Sequence, residues 1–178
     1  MSEANNRDKR YKMLKSAWNQ GIIKSFKDIL EIVPYYVVAT NANLNIKKFL
    51  NQMEDIASFE MAELSRMADI MELGFREFSV FMARDLCAMK KESLDPDPEY
   101  RFIKVKWENG LIARIKDIFD LVPGRQIFAD LEITPLKFKE IMLVPSIITL
   151  RQIRTLATLS GISFEELVDF VAHEITEG

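Results

Sequence analysis

One cysteine and one histidine stand in a chain of 178 residues, and these two scarcities exclude a good deal. Cys87 alone can form neither a disulfide within the chain nor a cysteine-rich zinc site, and His173 alone cannot build a multi-histidine metal centre. The six glycines are not gathered into a phosphate-cradling loop, and the HExxH and GxSxG patterns are missing. No apolar run approaches the roughly 20 residues that cross a bilayer. The opening residues, MSEANNRDKR, lack the apolar stretch of a secretory signal. No strand-like alternation of useful length occurs. The expectation is an all-α, cytoplasmic, non-enzymatic protein with no cofactor and no metal. Cys87, on an apolar helix, is read as packing. His173, near the end of the last helix, is read as a favourable partner of that helix terminus.

What is present suits a packed helical protein. Hydrophobic residues make up 48% and charged residues 29% of the chain, enough to bury a core and keep a solvated surface. Net charge is −3 and the pI about 5.4, which counts against a strongly basic nucleic-acid binder. The charge is unevenly placed. Residues 1–89 hold 12 Lys and Arg against 12 Asp and Glu, whereas residues 90–178 hold 12 against 15. The first half also holds a basic cluster of Arg7, Lys9, Arg10, Lys12 and Lys15.

The chain also repeats itself. Trp18 and Trp107 lie 89 residues apart, and the same displacement pairs Tyr11 with Tyr100, Gly21 with Gly110 and Val33-Pro34 with Val122-Pro123. It pairs Lys27-Asp28-Ile29 with Lys116-Asp117-Ile118, Lys48-Phe49 with Lys137-Phe138 and Phe81 with Phe170. Self-similarity at a fixed displacement signals internal repetition. Two similar domains are expected, residues 1–89 and 100–178. Residues 90–99, KKESLDPDPE, read as a stiff, Pro-containing linker.

Within the first unit, residues 1–8 are expected to lie outside any element. Residues 11–20 carry Tyr11, Leu14 and Trp18 on one helical stripe. Gly21 ends that helix, Ser25 caps the next, and Pro34 separates it from a third. Residues 35–53, YYVVATNANLNIKKFLNQM, read as helix, tight turn and helix. Asn43 sits at the turn because asparagine tolerates positive φ, and Ile46, Phe49 and Leu50 are expected to face inward. Residues 59–72 form the next helix, broken by Gly74, and residues 75–89 the last. Most methionines and both tryptophans are read as core. In the second unit, Thr149 with Gln152 and Ser163 with Glu166 have capping-box spacing, and residues 146–150 are expected to be extended.

This pattern resembles the lambda-repressor-like (Cro/CI, or XRE) fold, a five-helix domain with a helix-turn-helix in its second and third positions. The opening WxxGxIKxxKDIxxxVP also resembles small bacterial regulators of that fold. The resemblance implies a tandem pair of such domains acting as a DNA-binding transcription regulator. Its second motif helix would lie in the major groove, its N-terminal side chains reaching base edges. That implicates Asn45, Lys47, Lys48, Asn51 and Gln52, with Lys9, Arg10 and Lys12 adding backbone contacts. Asn and Gln suit adenine, and Lys suits guanine acceptors or phosphate. The second-unit equivalents are Thr134, Leu136, Lys137, Glu140 and Ile141. Lys137 keeps its character, but Leu136, Glu140 and Ile141 are unhelpful against DNA, and Glu132 replaces the turn asparagine.

Two functions follow. In the first, the units bind double-stranded DNA, either as an internal mimic of a dimer with half-sites about one helical turn apart, or through the first unit alone, with the second serving a homodimer that reads a palindrome. In the second, the chain is a protein-interaction or dimerisation module that has kept the fold and lost DNA binding. An unobstructed positive surface over residues 45–52 favours the first reading. An apolar or acidic surface there favours the second.

Overall fold

The computed structural model describes residues 3–87 and 95–177, with side chains from Lys9 onward. Twelve α-helices and two short 3-10 turns account for the regular structure, and no strand occurs among the described residues. The first half runs α1 (Glu3–Asn19), α2 (Phe26–Ile32), α3 (Tyr35–Asn41), α4 (Ile46–Glu54), a 3-10 turn (Ile56–Ser58), α5 (Met61–Met71) and α6 (Phe75–Cys87). The second runs α7 (Arg101–Glu108), α8 (Ile115–Phe119), α9 (Gly124–Asp130), α10 (Pro135–Leu143), a 3-10 turn (Pro145–Ile147), α11 (Leu150–Ser160) and α12 (Phe164–Glu177). Each half thus holds six α-helices rather than five. Two helices, not one, precede the helix-turn-helix pair, because positive-φ Gly21 and Gly110 break the opening segment. The displacement of 89 residues recurs in the structure, separating Tyr35 from Gly124, Met61 from Leu150 and Phe75 from Phe164.

The same displacement recurs in the strained backbone. Positive φ occurs at Gly21 and Gly110, at Asn43 and Glu132, and at Glu72 and Gly161. Glu72, rather than Gly74, is the left-handed residue that ends α5. A left-handed conformation costs a non-glycine residue roughly 1–2 kcal/mol, so packing on either side must impose it on the two glutamates.

Local caps also match. Ser25 and Asp28 form a capping box at α2, and the Asp28 carboxylate accepts the Lys24 and Ser25 N–H groups, which hold it below its ordinary range. Asp117 does the same with the N–H groups of Ala113 and Arg114. From the far end of each half, Asp85 accepts the Phe26 N–H (2.9 Å) and Glu174 the Ile115 N–H (2.7 Å). Burial nevertheless raises the Glu174 carboxyl. Tyr11 accepts from the Asn41 amide (2.8 Å) and Tyr100 donates to Asp130 (2.6 Å), tying each opening helix to the end of the third.

The halves pack as one body. α6 and α12 lie against each other, and the buried residues of both halves, Phe78, Met82, Leu167 and Val171 among them, form one continuous core. Between them the chain makes a single antiparallel bridge, Glu60 to Thr149. The Met61 N–H donates to the Ile148 carbonyl and the Leu150 N–H to the Phe59 carbonyl, both at 3.0 Å. Each of these residues is the 89-residue counterpart of one across the bridge. Exchanging the halves therefore maps the bridge onto itself, which is a local two-fold axis. Arg76 with Asp169 (2.6 Å), Arg84 with Glu165 (2.7 Å) and Arg151 with Asp55 ring the seam, exposed and worth little each.

Some expectations change. α1 begins at Glu3, so residues 3–8 are helical; nothing in that stretch breaks a helix. Residues 146–150 are extended only at Ile148 and Thr149, after the 3-10 turn. Ile46 and Leu50 are not inward: they are 45% and 39% exposed, and Gln52 takes the inner position beside Phe49. Of the linker, residues 95–99 are described and Asp97 donates its N–H to the Leu159 carbonyl (2.8 Å). Residues 90–94 of the linker and Met89 of the expected helix 75–89 lie outside the described residues.

Two outcomes follow. Met82→Ala should cost about 3 kcal/mol while leaving one cooperative urea transition, since the halves share a core. Glu132→Gly should raise stability by about 1 kcal/mol through relief of positive φ. Urea unfolding midpoints check both.

Candidate nucleic-acid interface

The α3–α4 pair is built from the turn outward. Val38, Ala39 and Ala42 are buried, so the helices approach closely. Asn43 takes φ 53°, letting the Leu44 N–H reach the Ala39 carbonyl at 2.8 Å. Asn45 is the N-cap, its side-chain oxygen accepting the Lys48 N–H at 2.9 Å. Phe49 anchors α4 between Phe26 (centroids 6.3 Å) and Phe59 (5.6 Å).

Beside that aromatic cluster lies a polar group that the sequence reading assigned no role. Glu63, 3% exposed, accepts the Lys48 ammonium (2.7 Å), the Gln52 amide (2.6 Å) and the Glu60 N–H (3.0 Å). The Gln52 amide also donates to the Ser58 carbonyl at 3.2 Å. Gln52 is 4% exposed, so its side chain is committed inward and cannot present itself to a base. Lys48 is half-exposed, but its charge is answered by Glu63. The signals were a glutamine three residues beyond inward Phe49 and a glutamate at the third position of α5.

The outward face of α4 is therefore Asn45, Ile46, Lys47, Leu50, Asn51 and Glu54. Of the residues implicated on this helix, Asn45, Lys47 and Asn51 lie fully on it. On α1, Lys9 and Lys12 are exposed and Arg10 is half-buried; that helix packs on α2 and α5.

The α9–α10 pair repeats the geometry with different side chains. Glu132 takes φ 53°, the Ile133 N–H reaches the Phe128 carbonyl (2.9 Å), and the Thr134 hydroxyl caps α10 by accepting the Lys137 N–H (3.1 Å). Pro135 occupies the first turn, where its missing N–H costs nothing. Phe138 packs on Phe119 (5.3 Å) and Phe128 (5.0 Å), and Ile141 is buried. Leu136, Lys139, Glu140 and Leu143 face out. Lys137 is half-buried and lies 3.8 Å from Glu60 across the two-fold, so α10 runs close to the bridge. Gln152, the counterpart of Glu63, accepts the Thr149 N–H (3.0 Å) within its own capping box.

Elsewhere, His173 Nε2 lies 3.2 Å from Glu177 on the same helix, and Trp18 and Trp107 stack edge-on against Phe81 and Phe170. Among the described residues no cluster of His, Cys, Asp or Glu could hold a metal ion, and no helix is long and apolar enough to cross a membrane.

Glu63→Ala should destabilise by about 2 kcal/mol, because it removes the shorter of the two hydrogen bonds of the buried Gln52 amide and the acceptor of the Glu60 N–H, whereas Lys48→Ala should cost less. Thermal unfolding of both variants distinguishes these costs. No protein-family model, curated protein or solved structure matches the chain.

Proposed function

We propose that the chain is a non-enzymatic, cytoplasmic regulator that binds double-stranded DNA, a tandem duplication in which two helix-turn-helix units of one chain stand in for the subunits of a symmetric dimer. The observation that carries this reading is the recurrence of one unit on both sides of a local two-fold: positive-φ turn, side-chain N-cap, short second helix with a phenylalanine anchor. A two-fold rotation preserves height along its axis, so the axis at the bridge, extended over both halves, would set α4 and α10 at one level, as two half-site readers need. Charge is balanced rather than favourable on these helices: with Lys48 paired to Glu63 and Lys137 beside Glu60, each presents one lysine, Lys47 or Lys139, against one glutamate. With Gln52 turned inward and Lys48 tied to Glu63, the reading rests on Asn45, Lys47 and Asn51 in the first half and Lys139 in the second.

One observation favours a protein partner instead. Ile46, Leu50, Leu136 and Leu143 are exposed on the same two helices, and exposed apolar groups serve protein contacts. Thymine methyl groups also accept apolar contact, so Ile46 and Leu50, which favour the protein-interaction reading by their apolar character, are compatible with either partner.

Titration of the full chain against random duplex DNA at low and moderate salt decides between the readings. The expected outcome is binding in about the micromolar range that weakens with salt. Lys47→Ala/Lys139→Ala should weaken it further and lower the salt slope by about 2. No binding at low salt sinks the DNA reading and leaves the interaction module.

A further inference from the structure

We propose that the two halves read different sequences, so that the duplex this chain selects is non-palindromic, with two unlike arms; this rests on the DNA-binding function proposed above. A true dimer presents two identical helices about its axis and therefore selects a palindrome. Here α4 and α10 are counterparts by the 89-residue displacement and by their matched turns and caps, but their outward residues differ at equivalent points. Lys47 corresponds to Leu136, Asn51 to Glu140, Leu50 to Lys139 and Ile46 to Pro135.

These replacements change what each helix can recognise. On α4, Asn51 offers an amide suited to adenine and Lys47 an ammonium suited to guanine acceptors or phosphate. On α10, Leu136 and Glu140, read from the sequence alone as unhelpful against DNA, are both outward; Leu136, 67% exposed, offers apolar contact of the kind a thymine methyl accepts. Glu140 accepts hydrogen bonds, which suits the cytosine amino group, and repels nearby phosphate. The backbone that presents them is the same: Asn43 and Glu132 share φ 53°, and Asn45 and Thr134 cap alike. The halves thus differ in what they present and agree in how they present it. Two unlike arms also give the bound chain a direction along the duplex.

Selection from duplexes with a randomised core, using the full chain, tests the proposal. The expected result is one enriched motif with two different arms. Asn51→Ala should relax preference in one arm and Leu136→Ala in the other, each costing about tenfold in affinity for the selected site. A second variant, Leu136→Lys/Glu140→Asn, changes only outward side chains and should shift preference about tenfold toward a palindrome of the first arm. A palindrome selected by the unaltered chain overturns the two-arm proposal and leaves DNA binding standing. A one-armed motif indifferent to Leu136→Ala overturns it equally. Enrichment of no sequence overturns the two-arm proposal; if low-salt binding to random duplex is also absent, the DNA-binding reading falls with it.

Discussion

The packing of α6 against α12 is the constraint on which the rest of the structure depends. Each half is a set of short helices, several with only five to nine residues, and such helices are marginal without tertiary burial. Phe78, Met82, Leu167 and Val171 on these two helices are all removed from water in the one continuous core. The Glu60–Thr149 bridge then fixes how the halves face each other, because its two hydrogen bonds form together only at one setting along the chain. The ion pairs around the seam are exposed, and they orient more than they stabilise. The placement of α4 and α10 follows from this seam.

Much of the local structure was legible in the sequence because its causes are local. Asn43 at positive φ, Ser25 at the start of α2 and the Thr149–Gln152 capping box each depend on residues within a few positions of one another. The 89-residue displacement was legible for the same reason, since matched elements need matched local patterns. The inner face of α4 was legible at Phe49 and not beyond it. A hydrophobic-stripe argument puts Leu50 inside and Gln52 outside. The structure reverses them because Glu63, eleven residues beyond Gln52, supplies a buried acceptor that periodicity cannot reveal. The left-handed end of α5 falls at Glu72 rather than at Gly74, a placement glycine preference alone does not give.

Glu63 makes the first half's second helix different in kind from its counterpart. A buried carboxylate is tolerated only when its hydrogen-bonding capacity is met. Here one ammonium, one amide and one backbone N–H meet it. The arrangement is not fully satisfied, since the Gln52 amide oxygen is buried without a hydrogen-bond partner. Such a network is directional, so it specifies the rotation of α4 about its own axis more tightly than apolar contact does. α10 lacks it: Ile141 replaces Gln52 in the core, and Lys137 reaches toward Glu60 across the two-fold instead.

The two halves agree in backbone and differ in side chains. The backbone layer is kept, even at a cost: Glu132 holds the φ of Asn43 although its side chain gains nothing from it. The core layer is kept in position and changed in size and chemistry, as Met71 and Ser160, Phe59 and Ile148, and Glu63 and Gln152 show. The outward layer of the two second helices has changed most, from Lys47 and Asn51 to Leu136 and Glu140. Backbone geometry at a turn answers to every helix packed around it, so a change there is felt by the whole half. An outward side chain answers only to solvent and to whatever binds. Retained turn geometry beneath altered outward residues is the combination that lets one scaffold present two different surfaces at equivalent positions.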